Sequence, residues 1–237
     1  MKLIFIRHGD PDYVKDSLTD KGWREAEILS ERVKNWSVKE FYCSPLGRAR
    51  DTASLTLEKT GRKAETYEWL QEFYYRVIDE QTGEETIAWD FMPNYFCHND
   101  ALHDKDYWYK TPVMSSGNIE KHYRDVIKGM DDLLASHGYV RRDDGVYAVK
   151  DHNDDILVFF CHFGITALLT GYLTGVAAPS LWQGFFMAPT SITVLGSEER
   201  IPGEAAFRVQ AFGDCRHLIE AGEPVSASGY FTDIFEG

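Results

Sequence analysis

Asp155-Ile156-Leu157-Val158-Phe159-Phe160, continued by Cys161-His162-Phe163-Gly164, is the stretch that decides the fold. Acidic residues bound an apolar run too short for a helix, and a polar turn ends it. That is the pattern of a strand buried on both faces, as in a parallel sheet. Gly164 to Leu173 then continues as an apolar helix. Working outward, Lys2–Ile6 repeats the pattern, and Lys39–Cys43 reads as another strand with Pro45 where a helix is about to begin. That helix runs from Arg48 to Lys59, with Gly61 as its C-terminal stop. Thr19 is the expected N-cap of an earlier helix carrying Trp23, Ala26, Leu29 and Val33 at helical spacing. Lys63–Leu70 is a candidate strand, a helix is expected from Asn118 to about His137, and Ser191–Leu195 and Ala206–Phe212 close the sheet. Strands alternating with helices imply an α/β three-layer sandwich, a mostly parallel central sheet with helices on both faces.

The remainder of the chain bounds its function. It has 237 residues, 43% hydrophobic and 27% charged, which fits a globular protein and excludes a disordered or fibrous one. A single domain over 1–237 is expected. The formal charge of −13 argues against nucleic acid or an anionic membrane as partner, because phosphate backbones demand clustered positive charge. Cys43, Cys97, Cys161 and Cys215 lack the spacing of a disulfide framework or zinc site and read as reduced thiols of a cytoplasmic protein. Arg7 and Asp10 follow the first apolar run too closely for a signal peptide. Phe163 to Ser197 is uncharged, but Gly171, Gly175, Pro179 and Gly184 interrupt it, so no membrane span is expected.

From Phe73 to Ser115 no long period is found. Ten aromatic residues, eight acidic and three basic make this stretch a net −5, and it reads as an insertion or cap on the main domain. Its aromatics are first the core of that cap and second a substrate pocket. Tyr107, Trp108 and Tyr109 are the ones expected to enclose a substrate body.

Three polar clusters carry the chemistry. Arg7-His8-Gly9, Ser44-Pro45-Leu46-Gly47-Arg48 and His162-Phe163-Gly164 each follow a strand, so they meet at one edge of the sheet, where α/β folds bind ligands. Two of them open helices, whose N-termini attract anions. Two arginines and two histidines gathered there on an acidic protein point to a phosphate group, which guanidinium forks grip bidentately. A histidine beside such an arginine can attack phosphorus if one ring nitrogen is unprotonated.

At these residues the sequence resembles the histidine phosphatase superfamily, in its phosphoglycerate-mutase-like group. The resemblance rests on "RHG" at Arg7-His8-Gly9, "SPLGRARDTA" from Ser44 to Ala53, "LQE" at Leu70 to Glu72 and "CHFG" at Cys161 to Gly164, in that order. It implies that His8 is the phospho-accepting nucleophile, that Arg7 and Arg48 bind the phosphoryl oxygens, that His162 stabilises their charge, and that Glu72 is the general acid. A carboxyl beside a phosphate dianion is expected to hold its proton more tightly, which suits that role. Ser44 is a further phosphate contact, through hydroxyl or backbone. Phe163 stands where the acid-phosphatase branch has an aspartate. The asparagine many members carry after RHG is absent from Asp10-Pro11-Asp12-Tyr13-Val14.

The expected activity is therefore a phosphatase that hydrolyses a small phosphomonoester through a phosphohistidine, with no cofactor and no metal. Its partner is a small phosphorylated metabolite, and a homodimer is left open. A phosphoglycerate-type mutase is the rival reading within the family. A metal-dependent hydrolase using His8, Asp10, Asp12 and His162 is a more distant one. His98, His103, Asp104 and Asp106 match no ligand spacing and read as a solvated loop.

Overall fold

The structure, a computed structural model, describes residues 1–91, 93–150 and 152–229. Position 92 of the 73–115 stretch, and 230–237 of the domain expected over 1–237, lie outside the described residues. Eight strands form the central sheet: β1 Lys2–Arg7, β2 Glu40–Cys43, β3 Ala64–Thr66, β4 Tyr139–Arg141, β5 Tyr147–Val149, β6 Ile156–Cys161, β7 Ile192–Ile201 and β8 Glu204–Asp214. Their order across the sheet is β3-β2-β6-β1-β7-β8-β5-β4. The principal helices are α1 Asp20–Val33, α2 Gly47–Thr60, α3 Ile119–Ser136, α4 Phe163–Thr174 and α5 Ala178–Gly184.

Alternation along the central strands builds the two cores. Ile4 and Ile6 of β1 and Val158 and Phe160 of β6 pack with Leu29 and Val33 of α1 and Ala49 and Ala53 of α2. Leu3, Phe5, Leu157 and Phe159 face the other way, against Met130 and Leu134 of α3 and Leu168 and Leu169 of α4. All these side chains are buried. Each contributes about 1.5–3 kcal/mol on leaving water where it is a large aliphatic or aromatic one, so burial on both faces holds the sheet in the middle. Helix α4 is apolar around nearly its whole circumference because it is enclosed, which accounts for the uncharged stretch from Phe163. No helix among the described residues is long and apolar enough to cross a membrane.

The α/β class and helices on both faces agree with the sequence reading, but the sheet is mixed. β3, β2, β6 and β1 are parallel neighbours, whereas β7, β8, β5 and β4 continue the sheet antiparallel. The reason lies in the connections. Pro202-Gly203 joins β7 to β8, with Gly203 at φ 84°, and two residues can link only antiparallel strands. The third strand, expected over Lys63–Leu70, is only Ala64–Thr66, and a 3-10 turn at Glu68–Leu70 follows it. Local signals were read correctly elsewhere: Thr19 Oγ1 accepts from the Gly22 N–H at 3.1 Å, and Gly61 ends α2 at φ 64°.

Candidate active site

Parallel β2, β6 and β1 put their carboxyl ends on one edge. Arg7 lies opposite Cys161 in register, and Phe160 opposite Cys43. The next residues of the three strands are therefore His8, His162 and Ser44, far apart in sequence and adjacent here. The rings of His8 and His162 are 5.2 Å apart, and His162 Nε2 is 2.7 Å from Ser44 Oγ.

The backbone fixes the tautomer of His8. Its Nδ1 lies 2.8 Å from the Gly9 carbonyl. A carbonyl oxygen only accepts, so Nδ1 carries the proton and Nε2 of the neutral ring keeps its lone pair. Burial, with the Arg7 charge adding to it, holds the His8 pKa well below the ordinary histidine value. Burial also lowers that of His162, reinforced by His8, Arg48 and Arg7. Both rings are thus neutral at pH 7.

Two arginines flank the histidines. Arg7 donates from Nη1 to the Met187 carbonyl at 2.5 Å and lies over the Phe186 ring at 5.8 Å. Arg48 donates from Nη1 to Asp16 Oδ1 at 2.6 Å, while Asp16 Oδ2 accepts from the Gly47 N–H at 2.6 Å. Neither guanidinium is fully used: Arg7 Nε and Arg48 Nε, like His162 Nδ1, are buried with no hydrogen-bond partner. A buried donor left unpaired costs about 1–3 kcal/mol, so several in one place mark a site shaped for an anionic ligand.

Glu72 sits at the N-terminus of α4. Its Oε1 accepts from the N–H groups of Phe73 at 2.8 Å and Ile165 at 3.0 Å, and its Oε2 from Gly164 at 3.2 Å. Burial pushes its pKa up, opposed by those donors and by Arg7. The net direction is that of an acid able to hold a proton nearer neutrality.

The helix N-termini do not stand open to substrate as the sequence suggested. Glu72 takes the one at α4, and Asp16 takes Gly47 at the other. Asp16 was not foreseen. Its backbone is left-handed, φ 48°, a conformation aspartate tolerates better than most residues, and nothing periodic in the loop announces it. Ser44, expected on the phosphate, bonds His162 and accepts from the Leu46 N–H at 3.3 Å. The buried Cys161 thiol, pushed up to about 12 by burial, lies 3.2 Å from Thr166 Oγ1 rather than pairing with histidine.

Arg7, His8, Arg48 and Glu72 open into one cavity of about 870 Å³. From the 73–115 stretch it receives Tyr74, Ile87, Trp89 and Asp90. It does not receive Tyr107, Trp108 or Tyr109, which corrects the sequence expectation. Trp108 is 1% exposed and packs within 5.5 Å of Tyr109, Tyr123 and Trp182, so its bulk fills the core, while Tyr107 faces solvent. Asp10 accepts from Thr19 and Ser226, and Asp12 pairs with Lys15. No group of three or more histidine, cysteine or acidic side chains among the described residues is placed to hold a metal ion.

Comparison with known proteins agrees with this geometry. The model of the histidine phosphatase superfamily (branch 1) matches residues 3–207. The chain belongs to the histidine phosphatase superfamily. Within it, an alignment that covers 30% of the chain is 37% identical to the 2,3-bisphosphoglycerate-dependent phosphoglycerate mutase of Thermoplasma acidophilum. That match spans only 42% of the mutase. Among solved structures, phosphoserine phosphatase of Entamoeba histolytica in complex with 3-phosphoglyceric acid superposes with a TM-score of 0.61. It is 19% identical, with 92% of this chain and 98% of that one covered. A mycobacterial glucosyl-3-phosphoglycerate phosphatase gives 0.57 at 20% identity, covering 90% and 98%. At such identities the likeness is one of fold.

Proposed function

We propose that this histidine phosphatase is a metal-independent hydrolase of a small phosphomonoester, working through a phosphohistidine on His8. The observation that carries the reading is the His8 ring, neutral, with Nδ1 tied to Gly9 and Nε2 left to react between two arginines. In the first step His8 Nε2 bonds to phosphorus as the ester P–O bond breaks. Protonated Glu72 gives its proton to the leaving oxygen. In the second, the Glu72 carboxylate takes a proton from water, which attacks phosphorus and returns the N–P electron pair to His8. Arg7 and Arg48 hold the non-bridging oxygens, and their charge supplies the electrostatic stabilisation that dominates phosphoryl transfer. His162, held by Ser44, adds a neutral donor to the same oxygens.

A phosphoglycerate-type mutase is the alternative, favoured by the partial match to the Thermoplasma enzyme. It must hold a second strong anion, and Arg7 and Arg48 are the only lysine or arginine residues among the described cavity lining. Hydrolysis is therefore preferred. Four unpaired cysteines fit a cytoplasmic location.

Rapid quench with p-nitrophenyl phosphate tests the reading. Glu72→Gln should accumulate an acid-labile, base-stable phosphoenzyme, because this leaving group needs little protonation. Turnover of an alkyl ester should fall by roughly 10²–10⁴, the usual worth of a general acid. Chelator should leave activity intact, and vanadate should inhibit. A His8→Ala protein that turns over like the wild type would sink the proposal.

A further inference from the structure

Away from the reacting groups, the walls of the cavity are aromatic. Tyr74 and Trp89 come from the 73–115 stretch, Phe163 and Trp182 from α4 and α5, and Phe185 from just beyond α5. Trp89 and Phe163 meet edge to face, their centroids 5.7 Å apart and their planes at 83°. Phe185 packs on Phe212 at 5.1 Å yet stays 50% exposed, so half of its surface remains for a ligand. The volume, about 870 Å³, is near the top of the range that encloses drug-sized ligands, well beyond the needs of a three-carbon phosphate.

Charge and hydrogen bonding narrow the ligand further. Both cations of the described lining are committed to the phosphoryl group, and the acidic residue among the walls beyond it is Asp90. A second anionic group on the substrate would be desolvated there without a partner. Trp89 Nε1 is buried and has no hydrogen-bond partner. It lies 2.8 Å, and Glu72 Oε1 2.7 Å, from the point that a Cβ on Gly164 would occupy, so the indole donor and the general acid flank one spot.

We infer that the substrate is the monophosphate ester of an uncharged, ring-bearing alcohol or phenol with no carboxylate. Its ring lies against Trp89, Phe163 and Phe185, where stacked and edge-to-face contacts add to the burial of apolar area. The Trp89 N–H donates to an oxygen close to the ester, beside Glu72. This rests on the phosphatase reading above and gives it a substrate class.

Two pairs of esters test it while holding leaving-group chemistry nearly constant. 2-Naphthylmethyl phosphate should exceed ethyl phosphate in kcat/KM by roughly tenfold or more. 4-Carboxybenzyl phosphate should fall below benzyl phosphate by roughly tenfold. Trp89→Phe and Phe185→Ala should each shrink the naphthylmethyl-to-ethyl ratio about fivefold. If 3-phosphoglycerate, phosphoserine or phosphocholine has the highest kcat/KM while His8 becomes phosphorylated, the substrate class is overturned and the phosphatase reading stands. If no ester is turned over and His8 never carries phosphate, both fall.

Discussion

Asp16 presents to Arg48 and to the Gly47 N–H the kind of oxyanion those donors would offer a phosphoryl group. The protein thus carries a competitor for its own ligand, one side chain from the reacting centre. Asparagine suits a test because it also tolerates a left-handed backbone. Asp16→Asn should tighten competitive inhibition by inorganic phosphate or vanadate by about fivefold, the ~1 kcal/mol that bounds a partly exposed charge pair. Inhibition constants measured with p-nitrophenyl phosphate decide the matter. Weaker inhibition in the variant would mean that Asp16 serves to aim Arg48. Asp16 also marks where reading by residue type stops. Arg7, His8, Glu72 and His162 stand in short motifs next to strands or helices, and their chemistry is local. The carboxylate opposite Arg48 reaches it only through the path of a loop.

Among the elements, the 73–115 stretch divides its aromatics between two tasks. Tyr74 and Trp89, which flank a small hairpin of Arg76–Ile78 and Glu85–Ile87, reach the cavity. Trp108 fills the core beneath α5. Trp108→Ala should therefore cost about 3–5 kcal/mol of stability, as buried tryptophan deletions do. It should leave the ratio of kcat/KM between a naphthylmethyl and an ethyl ester within about twofold of the wild type, since aromatic selectivity belongs to the ring contacts of other residues. A urea titration and two kinetic assays suffice, and a stable variant with lost selectivity would reverse the assignment. The strands were legible because buried β1 and β6 print their two-faced environment directly onto the sequence. This stretch was not, since its order comes from tertiary packing rather than from a repeating period. Residue composition announced an aromatic surface but could not say which rings face inward. The β4–β5 hairpin and α5 escaped for the same reason: each is only a few residues long, too short to carry a period.

Taken as a whole, the molecule buries three neutral imidazoles. His8 and His162 are held well below the ordinary histidine value, and His217 is pushed down to about 4, burial being the largest cause in each. At His217 the geometry agrees: Nδ1 accepts from Arg32 at 3.5 Å, so Nε2 donates to Thr190 Oγ1 at 3.2 Å. The unfolded chain takes up these protons near pH 6.5 and the folded one does not, so stability is fully present above that value and is lost as pH falls below it. Glu72 works in the opposite sense. Its folded pKa is raised, so it favours the folded state in acid and withdraws that support as pH climbs past the unfolded value of about 4.3. Above about pH 4.3 the two effects oppose each other, so the share of His217 is isolated by substituting it. Between pH 7.5 and 5, His217 alone should remove about 2 kcal/mol from the unfolding free energy. Urea titrations of the wild type and of His217→Gln at both values should differ in their pH dependence by that amount. An equal decline in the variant would locate the effect elsewhere.

The 73–115 stretch leaves and rejoins the rest of the chain at neighbouring points. The Ile78 N–H donates to Ser116 Oγ at 2.8 Å, and a Cβ on Gly117 would fall 2.0 Å from the Arg76 carbonyl, a passage only glycine allows. Glu72, just before the departure point, has its carboxylate held by the N–H groups of Phe73, Gly164 and Ile165. The chain thus passes out and back through a single doorway, with the acid bolted to the frame. Excision would take Trp108 away from the buried Tyr123 and Trp182 it packs against, whereas a graft of different shape with its own apolar underside would restore their cover. Exchange of the stretch at this doorway would change what the cavity encloses and leave the residues at the sheet edge in place.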